Sequence, residues 1–299
     1  MEFLNAHNVN VVLPVVSNKG FTLYRSAVMD SLFGVPIDTL YKERDPLREV
    51  IEEAHRRGIA VIPWFEFGFS SSYRAAGGHL LARKPQWAAR DREGELPEKN
   101  GFEWMNAYHP EVQEFLLALV LEVARTYDVD GIQGDDRLPA QPVEGGYAEF
   151  TQALYAQEHH GTHPPRELHD AAWMRWRADK LTAFAVRMYT ELKAIDSALI
   201  VCWAPSVYPW SRNEYPQDCP SWVRARAADM ILPQVYRFDL DAYRRTLRSH
   251  SGDSLGLTRL GDMLFPGLLI SLGPYRIPEE DLLTAVRFNR EAGFRGESF

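Results

Sequence analysis

Residues 127–139 of the chain read YDVDGIQGDDRLP. A short apolar stretch gives way here to a polar loop, a pattern typical of a buried strand that runs into a turn. Four carboxylates fall on this segment, Asp128, Asp130, Asp135 and Asp136, and the last two stand at its carboxyl end. In parallel α/β proteins the reactive groups collect at the carboxyl ends of strands, so chemistry is expected here.

Short apolar runs alternate with longer amphipathic ones along the chain, which is typical of repeated β/α units around a parallel sheet. Strands are predicted at residues 10–16, 60–67, 129–134, 198–204, 230–236 and 265–272, with the start of a seventh at 293–299. Helices are predicted at about 45–58, 110–127, 168–195, 239–250 and 278–291. No GxGxxG or P-loop sequence follows a strand, so the pattern favours a TIM-type (β/α)8 barrel over an open nucleotide-binding sheet. One barrel domain is predicted for residues 1–299.

The composition limits the classes of partner. The 299 residues are 45% hydrophobic and 25% charged, enough to bury a large core. Lys and Arg number 33 against 41 Asp and Glu, and the net charge of −8 disfavours nucleic acid and suits a neutral substrate. Neither a signal peptide nor a run of roughly 18 apolar residues is recognised, so no membrane insertion is predicted. The two cysteines, Cys202 and Cys219, leave the cellular compartment open.

Polar and aromatic side chains cluster where the predicted strands end. They are Asn18, with Tyr24 further along the same loop, then Trp64, Glu66, Asp135, Asp136, Arg137, Trp203, Gln234 and Tyr236. Carboxylates act as acid and base, amides hydrogen-bond hydroxyl groups, and indole faces stack on sugar rings, so this inventory predicts a carbohydrate site. Each of these binding residues also has a non-functional interpretation. Tryptophans also fill cores, buried amides pair with hydroxyls, and loop residues are often only solvated.

Four stretches carry a resemblance to a known family. They are NVNVVLPVVSNKGFTLYRS (8–26), GIAVIPWFEFGF (58–69), YDVDGIQGDDR (127–137) and MILPQVY (230–236). Together they are similar to the glycosyl-hydrolase-like family labelled family 10 glycosylhydrolase, over nearly the whole chain. The resemblance implies a (β/α)8 barrel and a link to bacterial glycans, including peptidoglycan strands.

The resemblance also predicts an incomplete barrel. In such proteins a strand precedes the segment that matches residues 10–16, and this chain has no counterpart of it. Residues 293–299 resemble only the start of the final strand. The chain is therefore expected to lack the first strand and most of the last β/α unit, as a barrel truncated at both ends.

The strand pleat separates the carboxylates of the opening segment. If Asp135 points into the barrel mouth, Gln133 shares its side and Asp130 faces the helices, so Asp128 and Asp130 are expected to cap the helix-to-strand turn. The run DGIQGD looks like the DGxRxD strand of several sugar-cleaving barrels, in which the second Asp is the nucleophile. The resemblance implies that role for Asp135, with Gln133 in place of the usual arginine.

A glycosidase needs a second carboxyl group. Glu66 is the best candidate because it ends its strand on the face of the barrel mouth, and Asp136, Glu103 and Glu214 are rivals. The alternative for Glu66 is a salt bridge to an arginine such as Arg137.

These residues predict a glycoside hydrolase for a bacterial or other polysaccharide, with Asp135 as nucleophile or base and Glu66 or Asp136 as proton donor. The alternative is a non-catalytic glycan-binding barrel, in which no carboxyl group approaches Asp135 within about 10 Å. No cofactor is predicted. A metal is not predicted either, because no strand end carries a His and no HExxH occurs. GxSxG and a strand-end lysine are also absent, which disfavours serine hydrolases and aldolases.

Overall fold

The structure is a computed structural model that describes residues 1–250 and 260–299. The helices are α1 (Glu2–Ala6), α2 (Ala27–Phe33), α3 (Pro46–His55), α4 (Gly78–Arg83), α5 (Pro110–Thr126), α6 (Glu149–Glu158), α7 (Ala171–Ile195), α8 (Trp210–Glu214), α9 (Cys219–Arg224), α10 (Leu240–Ser249), α11 (Leu260–Met263) and α12 (Glu279–Glu291). The strands are β1 (Val11–Val12), β2 (Ser17–Asn18), β3 (Phe21–Thr22), β4 (Ala60–Val61), β5 (Trp64–Phe65), β6 (Ser70–Tyr73), β7 (Glu98–Lys99), β8 (Phe102–Trp104), β9 (Gly131–Gly134), β10 (Ile200–Trp203), β11 (Met230–Ile231), β12 (Ser271–Leu272) and β13 (Tyr275–Arg276).

The parallel strands follow one another in the order of a barrel. β1 pairs with β4, and β5, β9, β10 and β11 pair in that order. Single parallel bridges continue the series from Ile231 to Leu264 and from Gly267 to Ser298. The predicted TIM-type barrel is confirmed. Within the described ranges no pairing joins β1 to Ser298, so the described strands form a partial barrel.

The predicted helices are present, and the predicted strands at 10–16, 60–67, 129–134, 198–204 and 230–236 are present but shorter than predicted. In the part of the chain that the structure describes, the predicted strands at 265–272 and 293–299 pair in parallel only through the single bridge from Gly267 to Ser298, and β12 within the first of them pairs antiparallel with β13 instead. The predicted strand at 60–67 divides into β4 and β5 around Pro63, which has no N–H to donate to a ladder. Helix α3 begins as expected, with the Asp45 carboxylate accepting a hydrogen bond from Arg48 N at 3.2 Å. The antiparallel sheet β6–β8–β7 and helix α6 were not predicted, because both lie within polar loops that follow barrel strands.

Side-chain alternation along the strands divides the core into an inner and an outer part. A small cluster holds the inward-facing apolar residues Ile62, Cys202, Ala204 and Leu232. The main core holds their outward-facing neighbours Val61, Ile132, Val201, Trp203 and Ile231, packed with the helices. Residues at the same inward-facing alternate positions, but nearer the carboxyl ends of the strands, therefore reach the barrel mouth.

Strand β9 requires glycine where it approaches β10. A Cβ atom at Gly131 would lie 2.3 Å from the carbonyl oxygen of Ile200, and one at Gly134 would lie 2.5 Å from the Trp203 ring. Both separations are too short for any larger side chain. The glycines therefore let the central strand pack closely and fix the position of the residues that follow it.

Candidate active site

Asp135 follows β9 and lies at the base of the barrel mouth, with 0% of its side chain exposed. Its Oδ2 accepts a hydrogen bond from Arg137 Nη2 at 2.6 Å, and its Oδ1 accepts one from Gln234 Nε2 at 2.7 Å. Burial, followed by the charge of Asp136, raises the pKa of Asp135 well above its usual range, against the opposing effect of Arg137. Protein donors therefore engage both oxygens of this buried carboxyl group.

Arg137 connects three carboxyl groups. Its Nη1 lies 2.8 Å from Asp136 Oδ1, its Nη2 lies 3.7 Å from Glu66 Oε1, and its Nε donates to the Glu66 carbonyl oxygen at 3.0 Å. The guanidinium carbon lies 4.3 Å from the Phe102 ring centroid. Because one nitrogen lies within 3.7 Å of carboxyl oxygens from both Glu66 and Asp135, those two groups fall well inside the ~10 Å spanned by a two-acid mechanism.

Glu66 and Asp136 reach the solvent, with 23% and 22% of their side chains exposed. Glu66 Oε2 accepts a hydrogen bond from Asn18 Nδ2. Burial raises the pKa of the Glu66 carboxyl group, although Arg137 and Asn18 act in the opposite direction. A carboxyl group that holds its proton to higher pH and also meets solvent has the properties of a proton donor.

Three further predicted residues surround the carboxyl groups. Trp64 is half-buried and is the register partner of Gln133 on the neighbouring strand. Gln234 contacts Asp135 directly, as described above. Tyr236 is 41% exposed, and partial burial together with the charges of Asp135 and Asp136 raises its pKa to about 12. The structure thus brings Asn18, Trp64, Gln234 and Tyr236 to the mouth with the acids.

Trp203 lies in the core, and its prediction as a sugar platform is wrong. It is 0% exposed, its Nε1 donates to the Ala227 carbonyl oxygen at 2.7 Å, and its ring centroid lies 5.3 Å from that of Trp222. The strand pleat explains this, because Cys202 and Ala204 occupy the inward positions and Trp203 points to the helices.

Tyr24 is likewise buried, and its prediction as a substrate-binding residue is wrong. Its side chain is 0% exposed, and its hydroxyl group donates to the Leu119 carbonyl oxygen on α5 at 3.1 Å. The ring lies 5.9 Å from Tyr127 in an edge-on arrangement. Tyr24 therefore attaches the loop after β1 to the helical layer.

Trp203→Ala is expected to lower the free energy of unfolding by about 3–5 kcal/mol, because it removes a fully buried indole from a packed core. Urea denaturation followed by circular dichroism measures the effect. Trp64→Ala is the matched control, since Trp64 is only half-buried, and a smaller loss is expected there. Unchanged stability of Trp203→Ala together with lost glycan binding would contradict the core assignment.

The rival acids Glu103 and Glu214 have structural partners. Glu103 is 4% exposed, its Oε2 accepts from Ser72 Oγ at 2.5 Å, and its Oε1 accepts from Ala75 N at 3.0 Å. Glu214 Oε2 accepts from Lys99 Nζ at 2.6 Å. Glu103 therefore holds the antiparallel sheet together rather than facing the barrel mouth.

Asp130 has the structural role predicted for it. Its Oδ2 contacts His55 Nε2 at 2.9 Å and accepts from Val61 N at 2.7 Å. Asp128 has 94% of its side chain exposed, near the same histidine. Both aspartates thus lie at the turn between helix and strand, away from Asp135.

Two contacts of Asp136 come from residues that the strand pattern does not predict. Gln217 is 0% exposed, and its Nε2 donates to the Asp136 carbonyl oxygen at 3.0 Å. Ser206 Oγ lies 3.4 Å from Asp136 Oδ2. Both residues lie on the long loop after β10, 70 or more positions along the chain, where no strand pattern marked them.

The described residues contain no group of three or more His, Cys, Asp and Glu side chains arranged to hold a metal ion. In the same part of the chain, no helix has both the length and the apolar character needed to cross a bilayer. The groups described at the mouth are three carboxyl groups, the Arg137 guanidinium group, amides and aromatic rings.

Comparison with known families identifies the chain. The family model described as glycosyl hydrolase-like 10 matches residues 1–253. The chain belongs to this family. The resemblance noted in the sequence is thereby confirmed.

Relatives of this glycosyl hydrolase-like 10 chain include two bacterial proteins. Glycosyl hydrolase YngK of Bacillus subtilis is 27% identical over 218 residues, and glycosyl hydrolase DigH of Escherichia coli K12 is 30% identical over 214 residues. Each alignment covers 64% of this chain but only 39% of YngK and 46% of DigH. The chain therefore spans less than half the length of these curated relatives.

Solved structures with a similar fold include glycoside hydrolases. The glycoside hydrolase domain of PgaB (BpsB) from Bordetella bronchiseptica superposes with a TM-score of 0.65 at 13% identity, covering 88% of this chain and 75% of that one. A β-galactosidase from Rahnella sp. R3 gives a TM-score of 0.66 at 14% identity, covering 100% of this chain and 46% of that one. At these identities the likeness establishes the barrel fold alone.

Proposed function

We propose that this glycosyl hydrolase-like 10 chain is a glycoside hydrolase domain that cleaves polysaccharide by a two-carboxylate mechanism. The observation that carries the proposal is the group formed by Glu66, Asp135 and Asp136 around one guanidinium at the carboxyl ends of barrel strands. Such strand ends are where barrel enzymes hold their reactive groups. The substrate class implied by the family resemblance is a bacterial glycan, with peptidoglycan strands as the first candidate.

Glu66 is the proton donor in this proposal. Its raised pKa and its 23% exposed side chain support protonation of the leaving glycosidic oxygen. Proton donation to that oxygen weakens the bond to the anomeric carbon, which develops oxocarbenium character in the transition state. Asn18 orients the carboxyl group through its hydrogen bond to Oε2.

The second carboxylate of the mechanism is Asp136, and Asp135 supports it. The exposed side chain of Asp136 supports direct contact with the anomeric centre or with the attacking water. The 0% exposure of Asp135 supports a positioning role without sugar contact, in which Asp135 holds Arg137 and Gln234 in place. The sequence predicts Asp135 as nucleophile or base, whereas the exposure favours Asp136 for that contact.

The non-catalytic alternative lacks support from the geometry. It requires that no second carboxyl group lie near Asp135, yet Glu66 and Asp135 contact the same Arg137 nitrogen. A binding-only barrel has no need to keep two acids near one guanidinium group, because each adds desolvation cost.

The proposed function is tested by incubating the protein with purified peptidoglycan glycan strands, chitin and cellulose. New reducing ends, detected colorimetrically and identified by mass spectrometry, are the expected result for at least the peptidoglycan strands. Release of no reducing ends from any of the three polymers would overturn the proposal.

Asn18→Ala is expected to move the basic limb of the kcat/KM pH profile to higher pH. The Asn18 amide donates to the Glu66 carboxylate and so stabilises the ionised form, which lowers the Glu66 pKa. Without that donor the pKa rises, and Glu66 holds its catalytic proton over a wider range. The measurement is a pH–rate profile, with Asn5→Ala on α1 as control. A basic limb that moves to lower pH would contradict the role of Glu66 as acid.

A further inference from the structure

Trp210 presents a large aromatic surface on the loop after β10. It is 45% exposed at the start of α8, a short helix of 5 residues. Its ring meets that of Tyr215 nearly edge-on, with centroids 5.5 Å apart. Tyr215 is itself 6% exposed and packs on Trp104 at 5.7 Å. Trp210 is therefore an exposed ring on a buried aromatic support.

Hydrogen bonds attach this helix to Asp136. Gln217 Nε2 donates to the Asp136 carbonyl oxygen at 3.0 Å, and Ser206 N donates to Gln217 Oε1 at 3.1 Å. Ser211 Oγ donates to the Gln217 carbonyl oxygen at 3.0 Å, and both Gln217 and Ser211 are 0% exposed. The segment that carries Trp210 is thus positioned by buried polar contacts that begin at a proposed catalytic residue.

An acidic group lies on the same helix face as Trp210. Glu214 stands four positions after Trp210, a spacing that places two side chains on one face of a helix. Glu214 Oε2 accepts from Lys99 Nζ at 2.6 Å, and 32% of the Glu214 side chain is exposed. Lys99 also contacts Glu144 at 3.0 Å, so the carboxylate is held in place while part of it meets solvent.

Tyr215, the support of Trp210, is sensitive to the charge of Asp136. The pKa of Tyr215 is raised by burial first and by the charge of Asp136 second. The Tyr215 hydroxyl accepts a hydrogen bond from Asn100 Nδ2 at 3.0 Å. The hydrogen bonds of Gln217 to Asp136 and of Ser211 to Gln217 therefore connect the segment that carries Trp210 to the mouth residue Asp136.

We infer that Trp210 and Glu214 form an outer subsite for one sugar ring of a β-1,4-linked hexopyranose chain. An indole stacks on the apolar C–H face of a pyranose, and a carboxylate accepts hydrogen bonds from its hydroxyl groups. A chain that crosses the carboxyl groups at the mouth continues across the loop after β10 and reaches this subsite. The inference rests on the proposed function only for the identity of the ligand as a glycan.

The test measures binding separately from turnover. Calorimetric titrations with cellohexaose and with N-acetylchitohexaose are carried out on the Glu66→Gln protein, which serves as parent. The same titrations are carried out on its Trp210→Phe and Trp210→Ala derivatives. We expect Trp210→Ala to weaken hexasaccharide binding by roughly tenfold, about the value of one aromatic contact, and Trp210→Phe to restore most of it. The disaccharides of the same series, which are too short to span both regions, should show no more than about a twofold change.

The matched control is Phe3→Ala. Phe3 is 72% exposed on α1, the helix that leads into the amino end of β1 and so lies at the opposite face of the barrel. Its loss should leave hexasaccharide affinity unchanged. Equal affinity of Trp210→Ala and its parent, or no binding of either hexasaccharide by the parent, would overturn the subsite. Hexasaccharide binding that depends on Trp210, together with no glycan cleavage by the protein that keeps Glu66, would support the subsite and refute the proposed hydrolysis.

Discussion

Glu66→Gln should lower kcat for glycan cleavage by about 100- to 10,000-fold, the usual loss when a general acid is removed. Glutamine keeps the shape of the side chain and can still pair with Asn18, but it has no proton to give to the leaving oxygen. The fold should persist, because 23% of this side chain is exposed and its closest Arg137 contact is 3.7 Å long. Steady-state kinetics with the polymer that yields reducing ends measures the loss.

Two companion variants separate the roles of the aspartates. Asp136→Asn should reduce kcat by a factor similar to Glu66→Gln, since Asp136 is the aspartate that meets solvent. Asp135→Asn should also abolish most turnover, through displacement of Arg137 and Gln234 rather than through lost contact with the sugar. Glu98→Gln, an exposed residue of β7, is the control and should keep the full rate. A Glu66→Gln protein with the parent rate would remove Glu66 from the mechanism.

Arg137→Met should destabilise the protein by about 3–5 kcal/mol at neutral pH, because it leaves carboxyl groups without the cation they share. Only 12% of the Arg137 side chain is exposed, and Asp135 beneath it has no exposed area. Methionine preserves much of the volume and the contact with Phe102, so the loss is mainly electrostatic. Urea denaturation at pH 7 gives the difference in unfolding free energy.

The same variant should show a distinctive pH dependence. Burial raises the folded-state pKa of Asp135 above its unfolded value, so the contribution of Asp135 to stability is fully present below the unfolded pKa. It is lost as the pH rises through the folded pKa. Because Arg137 lowers that pKa, its removal raises it further, and the penalty of Arg137→Met should grow as the pH rises through the folded-state pKa that Asp135 has in the parent protein.

Two control variants accompany this stability measurement. Arg44→Met removes an ion pair to Glu49 whose partners are 61% and 46% exposed, and should leave the free energy of unfolding nearly unchanged because solvent screens the pair. Adding Asp135→Asn to Arg137→Met should recover part of the lost stability at neutral pH, since one uncompensated charge disappears. A penalty that does not change with pH would show that Arg137 contributes packing rather than charge.

The Arg137 guanidinium group supplies a contact to Asp135 that the strand pattern does not predict. The resemblance to DGxRxD strands placed an arginine at the position of Gln133, and its absence raised the question of what supports Asp135. In the structure Arg137, two residues beyond Asp135 in the loop, supplies that contact at 2.6 Å. A loop residue can reach back in this way only when its backbone is held, and the Arg137 carbonyl oxygen accepts from Phe69 N at 2.9 Å.

Local periodicity by itself determined the repeated β/α units and the separation of Asp130 from Asp135, because alternation along a strand is a property of neighbouring residues. The choice of a barrel also required the absence of Gly-rich phosphate turns and the family resemblance. The same rule, applied to residues 198–204, would have turned Trp203 toward the helices. Tertiary structure alone decided that Asp135 is covered while Asp136 meets solvent, and that Gln217 and Arg137 hold them. Those outcomes depend on loops that pack across long stretches of chain, where burial and partner distance are set by contacts that no local pattern encodes.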